Sequence, residues 1–233
     1  MRNIKFINEN YYHIYNRGVE KRTIFQDDSD YFRFLLSMEE FNDLNPVFNL
    51  VRFFENPKIK YFSKKKNPIV KTICYSLMPN HYHFILCQLK DGGISKFMQK
   101  IGGGYTNYFN AKNKRSGVLF QGVFKAKHIK SDEYLLHLSR YIHLNSLDTF
   151  RPRCRWRENK IVKSKATKIY NFLNKYKWHS FPFITDRKKR CLIDLDLQIF
   201  LDQFKTVEDY IQFTLNWVPN NFGKINDLVI ESN

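Results

Sequence analysis

No apolar run in this 233-residue chain approaches the length that spans a bilayer. Met1 to Asn10 lack the charged-then-apolar pattern of a secretory signal. A cytoplasmic protein without membrane contact is the expectation. Cysteine is scarce. Cys74, Cys87, Cys154 and Cys191 form no CxxC pair, which argues against a disulfide framework or a cysteine-based zinc site. Cys74 and Cys87 fall in apolar, strand-like runs and read as buried thiols. Internal repeats are absent, and so is a Walker-type phosphate loop. Acidic residues are too few to balance the basic ones, 22 against 39, for a net charge of +17. Such an excess repels itself in a compact chain and points to an acidic partner. Nucleic acid is the commonest, because Lys and Arg gain by displacing counterions from phosphate.

Apolar residues make up 43% of the chain and aromatics 17%, ample for a core and against wholesale disorder. The many Tyr and Phe residues suit stacking on unpaired bases, although most must serve the core.

Aromatic and β-branched residues from Tyr11 to Asn16 predict a first strand, closed by Arg17-Gly18. Asp27 to Asp30 offer caps to a helix carrying Tyr31, Phe34, Leu35, Met38 and Phe41 at close to a 3.6 period, with Asn45-Pro46 as its end. Residues 47–69 read as an insertion holding the cluster Lys64-Lys65-Lys66. Val70 to Leu77 and His81 to Gln88 predict a hairpin about the Met78-Pro79-Asn80 turn. A helix with Ile94, Phe97, Met98 and Ile101 follows. Gly102 to Gly104 should weaken it, so a kinked or bipartite helix is expected. A fourth strand is predicted near Phe124 to Ile129. Ser131 then caps a helix carrying Tyr134, Leu135, Leu138, Tyr141 and Ile142. This order fits an α+β, ferredoxin-like antiparallel sheet with helices on one face. Residues 1–150 are read as one domain. Residues 151–233 are read as a basic, mostly helical extension, with helical patterns at Leu195 to Phe204 and Val207 to Trp217.

Two small patterns can carry chemistry. His81 and His83 flank Tyr82 on a predicted strand, so both imidazoles point to one face and can share a metal ion. By itself an HxH pair serves equally well as a structural feature. Tyr141 and Asn145 stand four apart on a predicted helix and share one face. On periodicity alone they fit a core tyrosine and a helix-end residue.

The segment Tyr75-Ser76-Leu77-Met78-Pro79-Asn80-His81-Tyr82-His83-Phe84-Ile85-Leu86 resembles the HUH strand of the REP-associated tyrosine transposases, the single-tyrosine HUH family of insertion-sequence type. Tyr12 to Gly18 resembles that family's first strand. Phe97 to Lys100 and Tyr105 to Asn110 resemble its middle helix. Arg115-Ser116-Gly117, Leu119 to Gly122 and Phe124-Lys125 resemble the segment after it. Glu133-Tyr134-Leu135 with Arg140 to Asn145 resembles the tyrosine helix, and Tyr176 to Ser180 a motif beyond it. The chain departs from the family at Ser146, where proline is usual, at Gly102 to Gly104, where basic residues are common, and in the length of the insertion.

The resemblance implies a transposase-like endonuclease and strand transferase acting on single-stranded or hairpin DNA, with a nucleoid-associated location. It implies Tyr141 as nucleophile and His81, His83 and Asn145 as ligands of Mg²⁺ or Mn²⁺. It further implies that Tyr141 and Asn145 come near the His81–His83 face. Arg17, Arg115, Gln121, Lys125 and Arg140, taken from the family-like segments, are the candidate DNA contacts, and Arg151 to Arg157 are candidates to track backbone. Monomer and homodimer remain open. The alternative is a domesticated, non-catalytic binder of DNA hairpins. A rolling-circle initiator, an RNA-binding ferredoxin-like domain and a zinc hydrolase fit less well, for want of helicase motifs, RNP-type aromatics and a third ligand cluster respectively.

Overall fold

The computed structural model describes residues 4–45, 67–150, 156–157, 161–186 and 188–217. Most of the expected insertion, with Lys64 to Lys66, lies outside these residues, as do Arg151, Arg153, Arg155 and Cys154. Compactness divides the chain into two units. The first is Met1–Ile73, Leu77–Ile129 and Cys191–Asp196; the second is Cys74–Ser76, Lys130–Arg190 and Leu197–Asn233.

Strands β1 (Tyr11–Arg17), β2 (Val70–Met78), β3 (His81–Gln88) and β4 (Lys125–Ile129) form one sheet in the order β2-β3-β1-β4. Helices α1 (Asp28–Phe41) and α2 (Gly93–Lys112) lie between β1 and β2 and between β3 and β4 in the chain. This is the expected ferredoxin-like arrangement. β1 is antiparallel to both of its neighbours, with Tyr15 opposite His83 and Lys125, and Arg17 opposite His81. Side chains alternate along a strand, so His13, Tyr15, Arg17, His81 and His83 share one face. Tyr12, Ile14, Tyr82, Phe84 and Leu86 line the other and are buried.

Helices α1 and α2 cover that second face. The Phe34 ring lies 5.4 Å from Tyr82, 6.2 Å from Phe84 and 5.0 Å from Tyr105. Such aromatic contacts add to the free energy of burial. The Tyr105 hydroxyl donates to Ile24 O at 2.6 Å, so its polar tip is satisfied in the core. Asp30, fully buried on α1, accepts from Lys112 at 2.7 Å, Tyr108 at 3.0 Å and the Gln26 amide at 2.8 Å.

Two expectations about helix ends and kinks are corrected. Helix α1 stops at Phe41, not at Asn45-Pro46. Asn42 ends it: its side chain donates to Val70 O and accepts from the Ile69 and Val70 amides, tying the chain to the start of β2. Helix α2 runs unbroken through Gly102 to Gly104 for 20 residues. A Cβ at Gly104 would sit 3.1 Å from the Phe41 ring, so the missing side chain lets α1 and α2 approach. That packing offsets the low helix propensity of glycine.

The second unit is helical. Helix α3 (Asp132–Leu144) begins where Ser131 accepts from the Tyr134 amide, as expected, and passes into a 3₁₀ turn at Asn145–Thr149. Then come α4 (Lys163–Lys175), α5 (Phe181–Thr185), α6 (Gln198–Gln203) and α7 (Val207–Leu215). The last two are shorter than their sequence patterns. Helix α4 falls in a stretch read only as basic: Lys165 and Lys168 are exposed, while Ile169 and Leu173 are buried. Its core face was masked by the charge around it. At the centre of the unit, His143 contacts the Tyr210 hydroxyl through Nδ1 and the Ser180 hydroxyl through Nε2, both at 2.8 Å. Tyr210 also meets Ser139 at 3.2 Å, and Ser180 accepts from the Tyr75 amide at 3.0 Å. No helix among the described residues is long and apolar enough to cross a membrane.

Candidate active site

In the first unit the alternation of β3 brings His81 and His83 to one face, their rings 5.2 Å apart and nearly perpendicular. His81 Nδ1 lies 2.6 Å from Asn80 Oδ1, and the Asn80 amide donates to Lys21 O at 3.2 Å. That second bond orients the Asn80 carboxamide and leaves its oxygen toward His81. His83 Nδ1 lies 2.9 Å from Nε2 of His13 on β1. Tyr15 flanks the pair, 4.7 Å from His13 and 5.8 Å from His83 between ring centres. Burial holds the His13 pKa down to about 3, aided by the nearby Lys127 cation, so the ring is neutral. Burial also raises the Tyr15 phenol. At the far end of the same face, burial pushes the Cys87 thiol up to about 11, which makes it a poor nucleophile at neutral pH.

Cationic groups stand beside the histidines. Arg17, opposite His81, donates through Nε to Gln121 Oε1, and the Gln121 amide donates to Arg17 O at 2.8 Å. Two of the candidate DNA contacts are thus each other's partners. Lys125 is exposed at the start of β4. Arg115 donates to Asn110 and to Val118 O and lies 5.8 Å over the Phe109 ring, bracing the loop that follows α2.

In the second unit Tyr141 and Asn145 share one face of α3 and its 3₁₀ extension. The Asn145 amide donates to Tyr141 O at 2.8 Å. Tyr141 is 3% exposed, with Trp156 at 5.6 Å and Trp217 at 6.3 Å between ring centres. Asn145 Oδ1 accepts from Arg157 Nη2 at 2.6 Å. Arg157 also pairs with Asp148 and lies 4.3 Å over the Trp156 ring. Arg140 is 5% exposed; it donates to Phe213 O at 2.9 Å and lies over the Phe213 and Trp217 rings. Burial lowers its pKa to about 10, a range in which it remains a cation at neutral pH.

The donor set suits a divalent ion. An Nδ1 hydrogen held by a protein acceptor leaves the imidazole lone pair on Nε2, the form in which histidine ligates. In the second unit, Asn145 Oδ1 is a hard oxygen of the kind Mg²⁺ and Mn²⁺ prefer. Among the described residues no group of three or more His, Cys, Asp or Glu could hold a metal ion.

Sequence reasoning assigned no role to His13, Asn80, Trp156 or Trp217, and it took Arg157 for a backbone contact. His13 and Asn80 sat inside the family-like segments, which was the one signal available. The contacts of Arg157 depend on how the turn after α3 folds back.

Residues 55–145 match the family model of the IS200-like transposases. No curated protein sequence matches. Among solved structures, one of a REP-associated tyrosine transposase bound to a REP hairpin aligns at 13% identity, covering 84% of this chain and 92% of that one, with a TM-score of 0.48. A Deinococcus radiodurans R1 protein assigned as a transposase aligns at 11% identity over 61% of this chain and 95% of that one, TM-score 0.34. A bacterial tRNA(His) guanylyltransferase-like protein in complex with ATP aligns at 9% identity over 75% and 71%, TM-score 0.35. At such scores a likeness says nothing of activity. The family match is different in kind, because it spans His81, His83, Tyr141 and Asn145 together. Over residues 55–145 the chain is similar to the IS200-like transposases.

Proposed function

We propose that the protein cleaves and rejoins single-stranded DNA through a 5′-phosphotyrosine intermediate, with Tyr141 as nucleophile, and that it recognises a DNA hairpin. The observation that carries this reading is the family match over a segment holding both histidines, Tyr141 and Asn145. The net charge of +17 supports a polyanionic partner. A hairpin is what the REP-associated tyrosine transposase of known structure binds.

His81, His83 and Asn145 would hold Mg²⁺ or Mn²⁺. Bound there, the ion would offset charge developing on the scissile phosphate. Tyr141 Oη attacks the phosphorus: an O–P bond forms, the P–O3′ bond breaks, and the 3′-oxygen leaves as a hydroxyl after taking a proton. The phenol proton passes to solvent. The reverse attack, by a 3′-hydroxyl on the tyrosyl phosphate, rejoins strands without an outside energy source. Arg17, Gln121 and Lys125, on the sheet end that carries the histidines, would contact the strand, and so would Arg115 and Arg140. Asn145 Oδ1 accepts from Arg157, so taking up the metal exchanges one cation for another at that oxygen.

The test is a denaturing gel of purified protein with Mn²⁺ and single-stranded oligonucleotides from the DNA beside its gene. A covalent adduct mapped to Tyr141, lost with chelator and in Tyr141→Phe, is the expected result. The phenylalanine ring keeps the packing against Trp156 and Trp217, so thermal unfolding should stay near that of the unaltered protein. Metal-independent binding with no adduct would favour the non-catalytic hairpin binder, a reading to which the burial of Tyr141 lends weight. The reading also requires Tyr141 to reach the metal. Broadening of the Tyr141 ring resonances by Mn²⁺ is expected, and its absence in the DNA complex would count against the assignment.

A further inference from the structure

We infer that His13 is a positioning residue for His83: it accepts a hydrogen bond from His83 Nδ1–H and so sets the Nε2 lone pair of His83 for a metal ion. This rests on the metal reading of His81 and His83. Register places His13 on β1 opposite Ile85, a diagonal neighbour of His83 on the same face. Their nitrogens are 2.9 Å apart, and the ring planes lie within 10° of each other with centres 5.1 Å apart. The two rings therefore meet edge to edge through one shared hydrogen.

Only one of the two ways to place that hydrogen is compatible with ligation. If His13 donates from Nε2, then His83 carries its own hydrogen on Nε2 and cannot bind an ion there. If His83 donates from Nδ1, its lone pair lies on Nε2. Asn80 makes the parallel arrangement at His81, where a carboxamide oxygen faces Nδ1 at 2.6 Å. Each histidine of the pair thus has its own acceptor, one from the turn before β3 and one from β1.

His13 is itself poorly served by its surroundings. It is fully buried, and its Nδ1 has no hydrogen-bond partner among the described residues. An unsatisfied buried nitrogen destabilises the fold, so packing alone does not account for a histidine at this position. Its bond to His83 does. Outer partners of this kind also lock the ring of a ligand in orientation, and their removal weakens metal affinity by about 10–100-fold.

The experiment uses the full chain labelled with ¹⁵N at histidine, with His13→Leu and His13→Gln as variants. Long-range ¹H–¹⁵N spectra of the metal-free protein should show the hydrogen of His83 on Nδ1, and calorimetry should show Mn²⁺ binding. In His13→Leu the hydrogen should move largely to Nε2 and Mn²⁺ affinity should fall by about 10–100-fold. The side-chain oxygen of His13→Gln can accept in place of Nε2, so this variant should retain the Nδ1 hydrogen and most of the affinity. A hydrogen on His83 Nε2 in the unaltered protein, or unchanged Mn²⁺ affinity in both variants, overturns the assignment. If the unaltered protein takes up no Mn²⁺, the metal reading fails by itself, and the position of the hydrogen on His83 still decides the role of His13.

Discussion

The two units use the same residue type in opposite ways. In the second unit His143 contacts Tyr210 and Ser180 through its two nitrogens, and burial holds its pKa well below the usual value. Its ring is a structural cross-brace between hydroxyls. In the first unit His81 and His83 contact Asn80 and His13 through Nδ1, on a strand face that also carries Arg17 and Tyr15. What separates them is the company each ring keeps, two hydroxyls for His143 and a strand face bearing Arg17 and Tyr15 for His81 and His83, since all three rings are buried. Burial by itself is a poor guide to function for histidine.

That contrast can be broken by substitution. The largest stability effect should come from the aromatic layer of the first unit. Phe34→Ala removes a ring packed on Tyr82, Phe84 and Tyr105 and should cost about 3–5 kcal/mol in denaturant unfolding. Next is the brace. His143→Ala leaves the Ser180 and Tyr210 hydroxyls each short of a buried partner, an expected loss of about 3 kcal/mol, with Mn²⁺ affinity unchanged. His81→Ala should do the reverse, abolishing Mn²⁺ binding at a stability cost of about 1 kcal/mol. If the two variants behave alike, the distinction between brace and ligand is wrong.

Acid should test the buried histidines together. Burial lowers His179 to about 4, and His143 well below 6.5. Between about pH 6.5 and pH 4 the unfolded chain binds protons that these folded rings refuse. Stability is therefore complete above about pH 6.5 and falls as the pH drops toward 4, by about 3 kcal/mol for His179 and in the same direction for His143. Thermal unfolding across that window should show the decline, and His179→Gln should flatten it. The smallest effect compares one helix start from each unit. Asp27→Ala and Ser131→Ala remove side-chain caps of α1 and α3 and should each cost about 1 kcal/mol by thermal unfolding.

Much of the first unit was legible because strand alternation and helix caps are local. Val70 to Gln88 showed a hairpin with no need of distant residues, and in the second unit Ser131 showed a helix start in the same way. The unbroken course of α2 was not legible, because it depends on Phe41 filling the space beside Gly104. Nor was the end of α1, which is set by what Asn42 binds at the start of β2. Helix α4 was hidden by its lysines. The HxH pair was visible as a shared face, but the partners of its nitrogens were not, since one of them arrives from 70 residues away.

The sequence by itself determined the charge that seeks a polyanion, the order of strands and helices as far as α3, and the one-face spacing of His81 with His83 and of Tyr141 with Asn145. These follow from composition and from the periods of strand and helix, which any segment carries within itself. Tertiary structure decided the rest. Sheet register set His13 against His83, and the fold of the turn after α3 set Arg157 on Asn145 and Trp156 beside Tyr141. Hydrogen-bond partners are chosen by through-space geometry, and no local pattern records which distant strand or turn will supply them.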